Sequence, residues 1–305
     1  MLFVISSCSS NDFNEMATGM GSVAFNIMAP GEVTKAYIGD GENVNIVHYE
    51  IYLAQNSHKN SVNGGEPLVE GTVEMVDKRA QLRLNLLEDQ DYVALFWAQV
   101  DGKKFYDVDD LRNVVAYYSD ENGKYILSNN EDRAAFCQVY PFNTEEEGIR
   151  TVELVRPFAQ LNLGTVKESL DMDYHIDLLE SKMTVSGVGV AYNVAAMKTG
   201  SAAADVVFDF AAVPDQMLDV NDVAYAYAGM NYFFVPSDEG NVDVVYDIMT
   251  DVGKVNRTVS NVPVKKNYRT NIIGNLLTKE TIIEIIVDEK FNKEDEVVEV
   301  ESKEN

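Results

Sequence analysis

Several residue types are scarce in this sequence, and each shortage excludes a class of protein. The 305 residues include only 2 cysteines, which cannot form a disulfide framework or, by themselves, a structural zinc site. Lysine and arginine number 24 against 50 aspartates and glutamates, so the formal net charge is -26. Phosphate backbones are bound by clustered basic side chains, and we therefore expect no nucleic acid partner.

Long apolar runs and enzyme signatures are missing as well. No run reaches the roughly 18 apolar residues that a membrane-spanning helix requires. The motifs G-x-S-x-G, H-E-x-x-H, Walker A and G-x-G-x-x-G do not occur, although they mark common hydrolase, metalloprotease and nucleotide sites. The three histidines, His48, His58 and His175, are far apart in the chain. We predict that the protein is not an enzyme and has no catalytic residue, cofactor or metal centre.

The main pattern that is present is a period-two alternation of apolar and polar residues, typical of half-buried strands. In the segment 80–86 the residues Leu82, Leu84 and Leu86 share one face. Such segments, separated by polar turns, predict an all-β protein built of antiparallel β-sandwiches, with a few short helices at 130–136 and 167–170. The predicted strands are 22–28, 45–53, 72–75, 80–86, 92–100, 150–156, 157–163, 182–192, 205–210, 232–235, 242–249, 256–264 and 281–287.

The length and one strand-breaking dipeptide indicate two domains. Arg156-Pro157 interrupts strand hydrogen bonding, because proline has no backbone N–H. We predict a short N-terminal tether at 1–20, β-sandwich domains at 21–156 and 157–289, and an acidic flexible tail at 290–305. Phe96 and Trp97 in the first domain, and Phe158 and Leu161 in the second, are predicted core residues.

One acidic segment has the composition of a cation site. On a strand, Asp171, Asp173, His175 and Asp177 would share one face, and carboxylates are suitable ligands for calcium. The alternative, which we favour, is that this face is only the hydrated side of an amphipathic strand. Cys137 lies in apolar sequence, which favours a buried side chain over a reactive thiol.

The N-terminus resembles the lipobox of bacterial lipoproteins. Apolar residues 2–5 are followed by Ser6-Ser7-Cys8, which makes Cys8 the predicted site of lipidation. This run is shorter than the roughly 7–15 apolar residues of a complete signal. We therefore expect the full-length precursor to begin upstream, and the alternative is a tail with a chance cysteine.

Several strings along the chain resemble the fimbrillin-like lipoproteins of Bacteroidetes, the superfamily of the major and minor fimbrial subunits. The two most specific are R-P-F-A-Q-L-N-L-G-T at 156–165 and N-Y-R-T-N-I-I-G-N-L-L at 267–277. Weaker matches are Thr34-Lys35-Ala36, where these proteins commonly have Thr-Arg-Ala, and the strings at 92–98 and 130–136.

This resemblance implies two transthyretin-like β-sandwich domains in a lipoprotein of the cell outer membrane, exposed at the surface as part of a fimbrium. It also implies assembly by β-strand addition: a trypsin-like protease removes an N-terminal strand after a basic residue, here Lys35, and a C-terminal strand of the next subunit fills the groove. The implied partners are other fimbrial subunits, the membrane through the lipid anchor, and a host or bacterial surface ligand.

The candidate donor strands lie near the C-terminus because the segments there are β-prone and close to a charged end. Residues 282–287 could equally be the last strand of their own domain, which would leave the distal segment as the donor. The alternative function is a monomeric surface lipoprotein that binds a glycan or another ligand. The candidate donor residues are Ile282, Ile283, Ile285 and Val287, and further on Val297, Val298 and Val300.

Overall fold

The structure is a computed structural model that describes residues 19–30, 39–55, 58–167, 175–220, 223–277 and 283–288. Within these residues the protein is all-β, as the sequence predicts, with three short 3₁₀ turns at Leu111–Asn113, Glu131–Arg133 and Pro236–Asp238. The strands are β1 Met20–Met28, β2 Ile46–Leu53, β3 Val69–Glu74, β4 Arg79–Leu87, β5 Asp91–Gln99, β6 Tyr106–Asp107, β7 Val114–Ala116, β8 Ile126–Leu127, β9 Phe136–Asn143, β10 Ile149–Glu153, β11 Ala159–Val166, β12 Lys182–Gly189, β13 Ala191–Asn193, β14 Lys198–Thr199, β15 Ala203–Asp209, β16 Met217–Val220, β17 Val223–Phe233, β18 Glu239–Thr250, β19 Gly253–Lys265, β20 Arg269–Gly274 and β21 Ile283–Asp288.

The N-terminal half forms one β-sandwich. A three-stranded sheet with the order β10-β1-β4 packs on a four-stranded sheet with the order β3-β2-β5-β9. Aromatic rings join the two sheets: the centroid of Phe25 on β1 is 5.6 Å from that of Phe96 and 5.2 Å from that of Phe142. Phe96 and Trp97 are both fully buried, as predicted.

The C-terminal half forms a second, larger sandwich. One sheet has the order β16-β17-β11-β20-β21 and the other the order β19-β18-β12-β15-β8. Their facing side chains form a separate apolar cluster that includes Leu161, Val185 and Tyr246. Phe158 and Leu161 are buried at the start of this sandwich, which confirms the prediction for both.

The two sandwiches repeat the same strand order. Strands β10-β1-β4 correspond to β20-β11-β17, and strands β3-β2-β5-β9 correspond to β15-β12-β18-β19. The directions agree too, because β1 and β11 each pair antiparallel with one neighbour and parallel with the other. The first strand of each sandwich therefore lies in the middle of its sheet.

A small sheet connects the halves. It has the order β14-β13-β7-β6, so two strands from the N-terminal half pair with two from the C-terminal half. Trp97 packs beside it, on the opposite face of β5 from Phe96. Its ring centroid is 5.2 Å from that of Tyr106 and 6.4 Å from those of Tyr192 and Phe234. The only tryptophan therefore packs between the sandwiches.

Several details differ from the sequence predictions. The pairs β1–β10 and β11–β20 are parallel, because the chain returns to the same sheet in the same direction after crossing to the other sheet. Strand β8, from the N-terminal half, also pairs parallel with β15 of the C-terminal sandwich. The predicted strand at 182–192 is two strands in different sheets, β12 and β13. The predicted short helix at 130–136 is a single 3₁₀ turn capped by the Asn130 side chain, and Phe136 already begins β9.

Candidate functional site

Strand β1 is the element on which the expected strand exchange would act. It pairs with β4 over all nine residues of Met20–Met28 and with β10 from Ala24 to Met28. Alternate residues point inward: Val23, Phe25 and Ile27 are exposed by 1, 1 and 0%. Fully burying side chains of this size stabilises a protein by about 1.5–3 kcal/mol each. Without β1, the sheet would have an apolar groove bordered by unpaired backbone groups of β4 and β10.

The residues of the predicted processing and lipidation sites are not in this part of the chain. Lys35 falls in 31–38 and Cys8 in 1–18, and both lie outside the described residues. The described residues that flank Lys35 are Pro30, just after β1, and Gly39. Cleavage at Lys35 therefore remains a prediction, and the structure shows the strand that such a cut would separate from the rest.

Of the candidate donor residues, the structure describes only the first segment. Ile283, Ile285 and Val287 lie on β21, which pairs antiparallel with β20 at the edge of its sheet. Ile285 is buried and the other two are half-buried. In this state β21 is the last strand of its own sandwich, the alternative that the sequence left open. Ile282, Val297, Val298 and Val300 lie outside the described residues.

The acidic segment is only partly described, because Asp171 and Asp173 fall in 168–174. His175 Nδ1 lies 3.0 Å from Asp251 Oδ2, with both side chains well exposed. Asp177 Oδ1 accepts hydrogen bonds from the backbone N–H groups of the two residues in the following turn, Leu179 and Glu180. Among the described residues, no group of three His, Cys, Asp or Glu side chains is arranged to hold a metal ion.

A buried polar network that the sequence reasoning missed joins the two most specific strings. Strands β11 and β20 are adjacent and parallel, with Asn162 opposite Asn271. Gln160 Nε2 donates to Asn162 Oδ1 at 2.9 Å, and Asn162 Nδ2 donates to Asn271 Oδ1 at 2.7 Å. Arg269 Nε donates to Gln160 Oε1 at 3.3 Å. The sequence signal was the alternation of amides with Leu161 and Leu163, which usually indicates a hydrated face.

A second set of hydrogen bonds holds a glycine turn that follows the predicted processing site. Arg156 Nη2 donates to the backbone carbonyls of Gly39 and Asp40, both at 3.1 Å. Lys78 Nζ donates to the Asp40 carbonyl as well, at 3.1 Å. Arg156 is 2% exposed, and its guanidinium carbon lies 4.8 Å from the centre of the Phe136 ring. Lys78 of the N-terminal sandwich and Arg156, in the connection between β10 and β11, therefore hold this turn.

Cys137 does not form part of a reactive site. It is fully buried, and burial raises the pKa of its thiol to about 12. A thiol with this pKa is almost entirely protonated at neutral pH and is a poor nucleophile. The prediction of a small buried side chain is confirmed.

These features define a class: a tandem β-sandwich protein in which the first strand of each sandwich lies centrally in its sheet. The family of unknown function DUF6562 matches residues 19–303, so the chain belongs to this family. A search of curated proteins found no match. No helix among the described residues is long and apolar enough to cross a membrane.

Several solved structures align with most of this chain. A candidate adhesin from Bacteroides thetaiotaomicron aligns with TM-score 0.53 at 10% identity, over 89% of this chain and 97% of that one. A fimbrial assembly protein from Parabacteroides distasonis aligns with TM-score 0.47 at 13% identity, over 92% and 99%. The tip fimbrial protein Mfa3 from Porphyromonas gingivalis, with a C-terminal truncation, aligns with TM-score 0.45 at 12% identity, over 88% and 99%. At 10% identity, the likeness to the Bacteroides thetaiotaomicron structure shows the fold alone.

Proposed function

We propose that the protein is a cell-surface fimbrial subunit, or a fimbria-associated adhesion lipoprotein, that joins other subunits by β-strand addition. One observation carries the proposal: β1 is the middle strand of a three-stranded sheet and fills its core with Val23, Phe25 and Ile27. It is followed by a segment that contains Lys35, the only lysine or arginine before Lys59. The proposal includes no catalytic residue and no cofactor.

The physical basis is the free-energy cost of a sheet that lacks one of its strands. Removing β1 after a cut at Lys35 would expose the side chains that contact Phe25 and would leave the inner edges of β4 and β10 without hydrogen-bond partners. A β-prone segment from a second subunit restores both kinds of contact at once. The driving force for assembly is therefore the same burial that holds β1 in the single chain.

The distal segment of Val297, Val298 and Val300 is the donor that we favour. Strand β21 already pairs with β20, so donating it would leave the edge of β20 uncovered. The distal residues alternate partly with glutamates, in the order E-V-V-E-V-E from 296 to 301. An alternating segment can direct one face into an apolar groove while the other stays in water.

Limited trypsin digestion of the purified full chain tests the assembly. We expect a cut after Lys35, followed by oligomer ladders that resist SDS. A chain ending at Lys290 should be cut without forming ladders. Lys35→Gln should remain uncut at this position, and Lys59→Gln is the matched control because Lys59 is exposed and is the next basic residue along the chain. If the cut chain stays monomeric, the polymerising role is wrong and the monomeric ligand-binding lipoprotein is favoured.

We further propose that Cys8 of the full-length precursor carries the lipid that anchors the protein at the outer membrane surface. The support is the lipobox-like sequence that ends in Cys8. Cells grown with a clickable fatty acid should label the wild-type protein and not the Cys8→Ser variant. Equal labelling of the two proteins would contradict the anchor.

A further inference from the structure

The turn formed by Gly39, Asp40 and Gly41 is the first described part of the chain after Lys35. The backbone N–H of Gly39 lies 3.5 Å from Glu131 Oε2, and the Asp40 side chain accepts a hydrogen bond from the N–H of Glu42 at 2.9 Å. The N–H of Val44 donates to the Gly41 carbonyl at 3.2 Å. The turn is therefore held by its own hydrogen bonds as well as by Arg156 and Lys78.

Both glycines are required by close contacts. Gly39 has φ +94°, and a Cβ atom there would lie 2.4 Å from Tyr232 Oη. Gly41 has φ +78°, and its Cβ would lie 2.6 Å from the Phe136 ring. Side chains at positive φ are strained in any case. The turn thus packs against β17 of the C-terminal sandwich through Tyr232 and against β9 of the N-terminal sandwich through Phe136.

Arg156 is a strong holding group for this turn. Burial lowers the pKa of its guanidinium to about 10, so it remains protonated at neutral pH. Hydrogen bonds from a charged donor are stronger than those between neutral groups, especially in a buried setting. Two carbonyls of the turn receive such bonds from a single nitrogen, Nη2.

The chain on the other side of Lys35 is held in a different way. Ala29, just after β1, donates its N–H to the Lys78 carbonyl at 2.9 Å, while the Lys78 ammonium binds the Asp40 carbonyl. Lys78 therefore marks where the outgoing end of β1 and the turn come together. The described chain before Lys35 is held by strand pairing. The described chain after Lys35 is held by the contacts of the Gly39–Gly41 turn.

We infer that the Gly39–Gly41 turn, here called the junction anchor, fixes the described chain that follows Lys35. It keeps the chain downstream of a cut at Lys35 seated between the two sandwiches, so that only the segment carrying β1 is released. This inference rests on the proposed function.

Hydrogen exchange on the full chain tests the anchor. A recognition sequence for a specific protease, inserted after Lys35, allows the chain to be cut there whether or not Lys35 is the natural site. After cutting, amides of residues 39–44 should keep the protection of the uncut protein, while amides of 20–28 lose protection. Exchange of 39–44 at the rate of an unstructured peptide after the cut would overturn the inference.

Substitutions locate the effect in the anchor. Arg156→Gln should accelerate exchange of residues 39–44 by about tenfold or more through local opening, with and without the cut. Lys78→Met removes one donor to the Asp40 carbonyl and serves if Arg156→Gln does not fold, with an expected acceleration of about threefold. Lys254→Met is the matched control, because Lys254 on β19 forms an ion pair at 3.1 Å with Asp247 on β18, in the C-terminal sandwich.

Unchanged exchange in both Arg156→Gln and Lys78→Met would also overturn the inference. The result is separate from that of the proposed function: a failure of strand addition would appear as missing ladders after trypsin, while the protection of residues 39–44 would be unaffected. Conversely, ladders could form in a protein whose residues 39–44 become unprotected, and that would leave strand addition standing and remove the anchor.

Discussion

The two sandwiches have the same strand order but hold their first strands differently. Strand β11 is buried on both faces, from Ala159 to Thr165, whereas β1 is buried on one face and half-buried or exposed on the other. The sheet of β11 continues past both β17 and β20, to β16 and β21. The sheet of β1 ends at β4 and β10 among the described residues.

This difference shows how one topology can serve two purposes. A strand that is buried on both faces and has a polar network on one of them cannot leave without disrupting the whole sandwich. A strand with one buried face loses fewer contacts when it leaves, and what it loses can be restored by another alternating segment. Under the proposed function, the C-terminal sandwich would therefore be the permanent framework and β1 the exchangeable strand.

The largest expected loss of stability comes from truncating Trp97, the side chain that packs between the two sandwiches. Trp97→Ala should lower the free energy of unfolding by about 3–5 kcal/mol, because it leaves a cavity among Tyr106, Tyr192 and Phe234. Urea unfolding followed by circular dichroism measures it. Trp97→Phe keeps most of the ring contacts and should lose less. A loss below about 1 kcal/mol for the alanine variant would contradict this burial.

The second prediction compares the equivalent strands directly. Phe25→Ala on β1 and Leu161→Ala on β11 should each cost about 3 kcal/mol of unfolding free energy, since both side chains are fully buried. Hydrogen exchange should separate them: Phe25→Ala should mainly accelerate exchange of β1, while Leu161→Ala should accelerate exchange throughout the C-terminal sandwich. Equal spreading of both effects would remove the distinction between the two sandwiches.

A third prediction concerns the buried polar side chains of β11, for which β1 has no buried equivalent. Asn162→Leu leaves the amide of Gln160 and the carbonyl oxygen of Asn271 without their present partner, which should cost about 1–3 kcal/mol. The second substitution, Asn271→Leu, removes the Asn271 side-chain oxygen as well and should recover part of the loss. Thermal unfolding of the single and double variants measures this. A double variant that loses the sum of both single losses would argue against the network.

The smallest expected effect is a pH dependence of the unfolding free energy that arises from Glu50. Glu50 on β2 accepts hydrogen bonds from the Tyr52 hydroxyl at 2.7 Å and from the Leu111 N–H at 2.9 Å, which ties β2 to the turn before β7. Burial raises the pKa of Glu50 above its ordinary value, with the hydrogen bonds opposing this in part. Its contribution to stability is therefore full below the unfolded pKa and is lost as the pH rises through the folded pKa.

Urea unfolding of the wild type and of Glu50→Gln over about pH 4 to 7 measures this term. The unfolding free energy of the wild type relative to the variant should fall as the pH rises, because glutamine does not titrate. A difference that stays constant, or that rises with pH, would show that burial does not dominate the pKa of Glu50.

Local pattern was enough for the strands with one buried face. The prediction of 80–86 for β4 and 22–28 for β1 agrees with Arg79–Leu87 and Met20–Met28 to within two residues. Alternation did not reveal β17, whose run V-A-Y-A-Y-A-G-M-N-Y-F was mostly missed. Alanine and glycine are also weak strand formers. Pairing with β11 and β16 therefore stabilises β17 as a strand.

The sequence by itself determined that the chain is all-β and that Phe96, Trp97, Phe158 and Leu161 are buried, because these depend on residues close together in the chain. Only the tertiary structure decided which strands are neighbours, that Trp97 packs between the sandwiches, and that Arg156 reaches Gly39. The physical reason is distance along the chain: the contacts of Trp97 with Tyr192 and of Arg156 with Gly39 join segments 90 or more residues apart, and no local period records them.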